Sequence, residues 1–385
     1  MPAQDETLKI DKNSNVLMVA GSETDANIYY ASHFLAPDPF IYLQTKGTSY
    51  LLMNDLELDR ARAQSDVAQV LPYSKYEAQA KSSGIESPRL SDVLSLFMLE
   101  QSVSQWIVPA NFSLRLGDAL RKQGHTLLTK DEPFFEARAL KTETEVEAMR
   151  EAQIAIEDAL DSTLDLLRRA EIKDGLLVLE GETLTSQSVR RHLDLALMKK
   201  DCIAQHTIVS CGVDACDPHN EGSGPLRAHE SIIFDIFPRS NKTRYHADMT
   251  RTVLKGKAPD ALKRLYDTVL EGQLLGISQV KKGANGREIH QNIMHCFEKK
   301  GYKTGLIDGR MQGFFHGTGH GIGLDIHEPP RISKAEHVLQ TGEVVTVEPG
   351  LYYPNIGAVR IEDMVLVEDT ACRNLTTYPK FLELD

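Results

Sequence analysis

Along the first ~135 residues, short apolar runs alternate with amphipathic stretches, a pattern that favours an α/β layer structure. Val16–Val19 is an apolar run closed by Gly21, and Ser22-Glu-Thr-Asp25 supplies helix-starting side chains behind it. Phe40–Leu43 and Tyr50–Met53 flank a turn at Gly47 and predict a hairpin. Trp106–Val108 and Thr126–Leu128 predict further strands around a helix over 113–123. Nothing in this half has the spacing of a catalytic motif. His33 and His125 stand alone and read as structural or surface residues.

A second unit opens near residue 139. Thr142-Glu-Thr-Glu145 matches a capping box, in which the Thr hydroxyl and the Glu carboxylate satisfy the first free amides of a helix. Behind it Val146, Met149, Ile156, Leu160, Leu164 and Leu167 form a helical stripe. A second helix follows Pro259, placed in its first turn, with Leu262, Leu265 and Val269 on one face. A third covers 286–299.

Between and after these helices the strands carry acids. Asp235 sits among the large apolar residues of Ile232–Phe237, and Asp248 immediately precedes Met249–Leu254. The segment Pro238–Thr243 between them has turn composition, which predicts a hairpin with one carboxylate on each strand. The pattern recurs: Glu348 ends the run Val344–Val347, and after the turn Pro354–Gly357 the run Val359–Val367 places Glu362 in a strand. An isolated ionised carboxylate loses several kcal/mol of hydration on burial, so acids inside apolar strands need partners. One would read as a salt-bridged core residue. Four, with only Arg251 and Arg360 nearby, point to divalent cations.

Phe314–Pro330 adds His316, His320 and His327 amid four glycines, residues that permit close backbone approach and positive φ around a ligand. A phosphate-cradling loop is discounted, since no Gly-Lys-Ser/Thr follows, and the HExxH zinc signature is absent. Two Asp, two Glu and one His form an oxygen-rich set suited to Mn²⁺, with Co²⁺ or Zn²⁺ as alternatives. Four carboxylates exceed what one ion needs. Two ions ~3.5–4 Å apart with shared carboxylates suit hydrolysis.

Composition narrows the class. At 385 residues the chain is long for one core, and 41% hydrophobic with 25% charged residues is ordinary for a soluble globular protein. No run approaches the ~20 apolar residues of a membrane span. The opening Met1–Lys9 lacks an apolar signal core, so a cytoplasmic location is expected. With 43 Lys+Arg against 55 Asp+Glu, net −12, nucleic-acid affinity is not expected. The five cysteines are odd in number and scattered, and read as unpaired.

Asp235, Asp248-Met-Thr-Arg-Thr252, Gly319-His-Gly-Ile-Gly323, His327-Glu328, Glu348-Pro-Gly350 and Arg360-Ile-Glu-Asp363 occur in this order over about 130 residues. At these residues the chain resembles the pita-bread metallopeptidases: methionine aminopeptidases, aminopeptidase P, prolidase and creatinase. Arg138-Ala-Leu-Lys-Thr142 resembles the start of their catalytic domain. The resemblance is close over 138–385 and covers the first half in outline. It implies a creatinase-like N-terminal α/β domain, 1–137, and a C-terminal pita-bread catalytic domain, 138–385. It further implies metal ligands Asp235, Asp248, His320, Glu348 and Glu362, with Asp248 and Glu362 bridging. His219 and His327 would contact substrate and stabilise the tetrahedral intermediate, and Glu348 would also act as general base. Arg360 would contact substrate or orient neighbouring ligands.

The complete ligand set separates the chain from creatinase, the N-terminal domain separates it from methionine aminopeptidases, and His327-Glu-Pro-Pro330 resembles the Xaa-Pro branch. The expectation is an exopeptidase cleaving Xaa-Pro bonds at the N-terminus of dipeptides or short peptides, acting as a homodimer. Departures fall at a longer first hairpin turn, at Phe237-Pro238, at His246, and over 171–200, which reads as an expanded helix–helix connection. The rivals are a hydrolase of another N-terminal residue or small amide on this scaffold, a non-enzymatic binding module, and a protein whose acids are met by salt bridges.

Overall fold

A computed structural model describes residues 8–384; most of the opening segment Met1–Lys9 lies outside them. The chain divides into two compact units, 1–138 and 139–385. Among the described residues no helix is long and apolar enough to cross a membrane.

The first unit is a six-stranded mixed sheet. Its spatial order is Gln69–Pro72, Thr48–Met53, Phe40–Thr45, Val16–Ala20, Gln105–Pro109 and Thr126–Lys130. The predicted hairpin pairs Thr45 with Thr48 and runs to Ile41 opposite Leu52. Asp25 caps the helix Ala26–Ser32 by accepting from the Ile28 amide. Both faces of the sheet are covered. Leu17, Leu43, Leu52, Phe97, Trp106 and Val108 fill one side, and Val16, Met18, Tyr42, Leu51 and Phe134 the other.

The second unit opens with the 27-residue helix Glu143–Arg169, whose Thr142/Glu145 capping box forms as the sequence predicts. The whole predicted stripe from Val146 to Leu167 is buried. Pro259 sits one position before the helix Asp260–Gln279, at its cap rather than in its first turn, where its missing N–H and fixed φ are equally harmless. That helix and Gly286–Lys299 pack together on a five-stranded sheet in the order Glu328–Ile332, Gly319–Gly321, Val344–Val347, Asp363–Val367 and Cys372–Asn374. Gly272 permits the close helix approach, because a Cβ there would collide with the Phe297 ring.

A four-stranded sheet holds Ile208–Cys211, Ile232–Ile236, Met249–Lys255 and Glu383–Leu384. Residues 171–200 are not a simple helix connection. They form a three-stranded meander, Glu171–Lys173, Leu176–Leu179 and Glu182–Thr183, followed by the helix Ser186–Met198. Gly175 and Gly181 turn it at φ 77° and 87°.

Candidate active site

Two strand pairs deliver the acids. In the first, Asp235 lies opposite Thr250, and Asp248 directly precedes the strand Met249–Lys255. Side chains two apart share a strand face, so Asp248 and Thr250 point the same way and the two aspartates are diagonal neighbours. Thr250 Oγ1 lies 3.0 Å from Asp235 Oδ1 and 2.7 Å from Glu362 Oε2, where its single proton can serve either carboxylate.

The second pair corrects an expectation. Glu362 is not inside a continuous strand over 359–367. The strand Gly357–Arg360 pairs with Gly350–Tyr353, whereas Asp363–Val367 pairs with Val344–Val347. Glu348-Pro349 and Ile361-Glu362 are the facing crossings between the two sheets. The reason lies in the backbone: Pro349 has no N–H for a ladder. The Glu348 amide turns to Thr318 O and the Glu362 amide to Thr250 O. Both carboxylates therefore emerge where the ladder is interrupted.

The glycine-rich segment supplies the histidine. A Cβ on Gly319 would collide with Thr346 O, and one on Gly321 with Pro329 O. None of Gly317, Gly319, Gly321 or Gly323 has positive φ, so these glycines serve close strand approach rather than special backbone angles. His320 Nδ1 lies 3.0 Å from Gly321 O and donates to it, which leaves the Nε2 lone pair facing inward. Nε2 is 3.5 Å from Glu348 Oε1 and 3.7 Å from Asp248 Oδ2. The His327 ring stands edge-on to His320, with centroids 4.4 Å apart.

Arg360 is buried and its Nη2 donates to Asp235 Oδ2 at 2.7 Å. Its Nη1 donates to Tyr352 Oη at 3.0 Å and to Pro218 O at 3.3 Å. Tyr352 Oη in turn lies 2.8 Å from His316 Nε2. His316 thus belongs to a network behind Asp235, away from the inward face of His320. His219 is exposed, on the loop after the short turn Asp214–Cys216. Burial lowers the pKa of His316 and of His327, and electrostatic repulsion from His219 adds to both, which places His219 near the two rings.

Burial sets the electrostatics. It pushes the Asp248 and Glu348 carboxyls well above the usual range, and repulsion from Glu362 adds to both. Glu362 is raised to about 8 by burial and by Asp235. Burial also lowers His320 to about 3, keeping it a neutral donor of a lone pair. Donor atoms of Asp248, His320 and Glu362 lie within 4.8 Å of one another. Among the described residues no N–H or O–H group donates to the buried Asp248 Oδ1 or Glu362 Oε1. Mutually repelling carboxylates, orphaned oxygens and an inward imidazole lone pair fit divalent cations.

The structure therefore gathers Asp235, Asp248, His320, Glu348 and Glu362, seats Arg360 behind Asp235, and sets His327 beside His320. Sequence reasoning did not find the roles of Thr250 and Tyr352. Thr250 lies inside the quoted Asp248–Thr252 block, but nothing in the block marks its hydroxyl as the link between two strands. Tyr352 carries no sequence signal.

The family model for metallopeptidase family M24 matches residues 147–369. An uncharacterised peptidase of Bacillus subtilis is 30% identical over 286 residues, covering 74% of this chain and 73% of its own. The Xaa-Pro dipeptidase of Pyrococcus horikoshii is 26% identical over 95% of this chain and 94% of its own. Among solved structures, the X-Pro aminopeptidase of Thermotoga maritima superposes with TM-score 0.80 at 24% identity, covering 96% of this chain and 97% of that one. The prolidase of Pyrococcus furiosus gives 0.76 at 22%, with the same coverages. These superpositions extend over the whole fold and bear out the pita-bread architecture.

Proposed function

The chain belongs to metallopeptidase family M24, and from that premise we propose that it is a dinuclear-metal exopeptidase hydrolysing the Xaa-Pro bond at the N-terminus of dipeptides or short peptides. Asp235, Asp248, His320, Glu348 and Glu362 would hold two divalent ions, Mn²⁺ first among them, with Asp248 and Glu362 shared. The observation that carries this is the pair of orphaned oxygens, Asp248 Oδ1 and Glu362 Oε1, inside a buried cluster of repelling carboxylates. Metal ions there would polarise the scissile carbonyl and make water acidic enough to attack at neutral pH.

The remaining residues have work of their own. Glu348 lies at the edge of the cluster and can take the proton of the attacking water and pass it to the departing proline nitrogen. His327 and His219 would donate hydrogen bonds to the carbonyl oxygen as charge gathers on it. Arg360, held by Tyr352 and Pro218 O, keeps Asp235 oriented. The preference for proline rests on the relatives named for Xaa-Pro activity, one of which matches nearly the full length of this chain. A homodimer is part of the same reading.

The test is the metal-stripped chain reconstituted with Mn²⁺, Co²⁺ or Zn²⁺ and assayed on Ala-Pro, Ala-Pro-Ala and Met-Ala-Ser. Metal-dependent cleavage of the proline substrates alone supports the proposal, and the dipeptide-to-tripeptide ratio assigns dipeptidase or aminopeptidase. Preferential cleavage of Met-Ala-Ser refutes it.

A further inference from the structure

Lys141 is almost wholly buried: its side chain is 1% exposed and that of its partner, Glu328, 7%. Their ion pair joins residues 187 positions apart. The backbone of Lys141 is fixed as well. Its amide donates to Gly342 O at 2.7 Å, and Leu140 bridges to Glu343. Lys141 is thereby tied to the start of the strand Val344–Val347, which Glu348 follows.

The other end of the pair, Glu328, directly follows His327 and opens the strand Glu328–Ile332. His320 pairs with Arg331, but the next pair is Gly321 with Glu328, so two extra residues, Pro329 and Pro330, are looped out. Gly321 and Glu328 therefore close a loop that carries His327 at its far end. Inside that loop the Glu328 carboxylate lies against Gly323, where a Cβ would stand 2.6 Å from Oε1. Ile322 and Leu324 beside it are buried. A carboxylate in such surroundings needs cationic support, and Lys141 reaches it from outside the loop.

We propose that Lys141 is a positioning residue: its buried pair with Glu328 fixes the Gly321–Glu328 loop and so sets His327 relative to His320. Buried ion pairs are poor sources of net stability, since two apolar side chains of similar volume often do as well. The pair's value lies in location. It ties the start of the strand that leads to Glu348 to the loop that carries His327. The inference rests on the reading of His327 as a substrate contact.

The experiment uses the full chain. In Lys141→Met/Glu328→Gln both charges vanish and shape is largely kept. The Mn²⁺-loaded double variant is expected to lose at least about tenfold in kcat on Ala-Pro-Ala with KM little changed. In the metal-free protein, amide hydrogen exchange should accelerate over 322–327 but not over Val344–Val347. Lys141→Arg, which keeps the charge, should retain more activity than the double variant. Wild-type kcat in the double variant, or exchange that rises equally everywhere, overturns the proposal. Gly323→Ala decides the matter if the double variant does not fold. It keeps both charges, needs no unusual φ, and should reduce kcat by displacing Glu328; unchanged kcat overturns the proposal. Should the wild-type chain cleave no Xaa-Pro peptide, the functional reading fails, while the exchange comparison still tests the loop.

Discussion

The two units treat charge in opposite ways. Among the described residues of the first unit no carboxylate is buried, and its buried polar side chains are mostly hydroxyls with ordinary partners, such as Ser22 to Phe34 O at 2.6 Å. The second unit buries Asp248, Glu328, Glu343, Glu362 and Asp363. Three of these five have cationic or imidazole partners: Glu328 has Lys141, Glu343 has His337, and Asp363 has Arg251 and Lys380. Asp248 faces only the neutral imidazole of His320, 3.7 Å away, and Glu362 has no ion pair among the described residues. Glu362 and Asp363 are consecutive, yet their acidities move apart. Burial works to raise both; for Asp363 the charges of Arg251 and Lys380 prevail and hold it below its usual value. The paired acids and the candidate metal ligands are thus separated by what faces them, since depth is common to both.

The largest expected effect falls on the unpaired set. Asp248→Ala or His320→Ala should abolish hydrolysis together with metal binding. The loss should exceed about 10³-fold, because the several kcal/mol supplied by metal ions disappear at once. A folded variant that keeps most of its activity breaks the comparison. Next comes the adjacent pair. With chelator present, Asp363→Asn should cost about 3–5 kcal/mol in urea unfolding by stranding Arg251 and Lys380. Glu362→Gln, which relieves repulsion, should cost little or stabilise. Equal costs would show that Glu362 is an ordinary core acid. Third, saturating Mn²⁺ should raise the wild-type Tm. At a hundredfold excess over Kd the gain is about 2.7 kcal/mol, and the Asp248→Ala variant should show none of it.

Much of this contrast was legible from sequence because it is local. The acid inside Ile232–Phe237 and the capping box at Thr142 are contiguous patterns, and the structure places both as read. What could not be read is what depends on partners far along the chain. The break before Glu362 follows from Thr250 O, 112 residues earlier, capturing its amide. Lys141 reads as one more charged residue near a helix start until Glu328 is brought to it. The motif glycines were legible as a requirement for small residues, but whether they answer φ or proximity depends on Thr346 and Pro329 across the sheet.

The smallest effect belongs to the first unit, whose one buried histidine has no part in the chemistry. His125 Nε2 lies 2.8 Å from Ser95 Oγ, and burial holds the ring's pKa below its ordinary value. The unfolded chain takes up that proton near pH 6.5, whereas the folded chain resists it. Stability from this group is thus complete above about pH 6.5 and is lost as pH falls below it. In chelator, which removes the metal contribution, wild-type Tm should drop between pH 7.5 and pH 5.5 by more than that of His125→Gln. The excess should stay below the ~4 °C that 1 kcal/mol produces in a unit of this size. An identical drop in both proteins would mean that His125 is as indifferent to protonation as a surface residue, and that the first unit's polar core is not sealed from water.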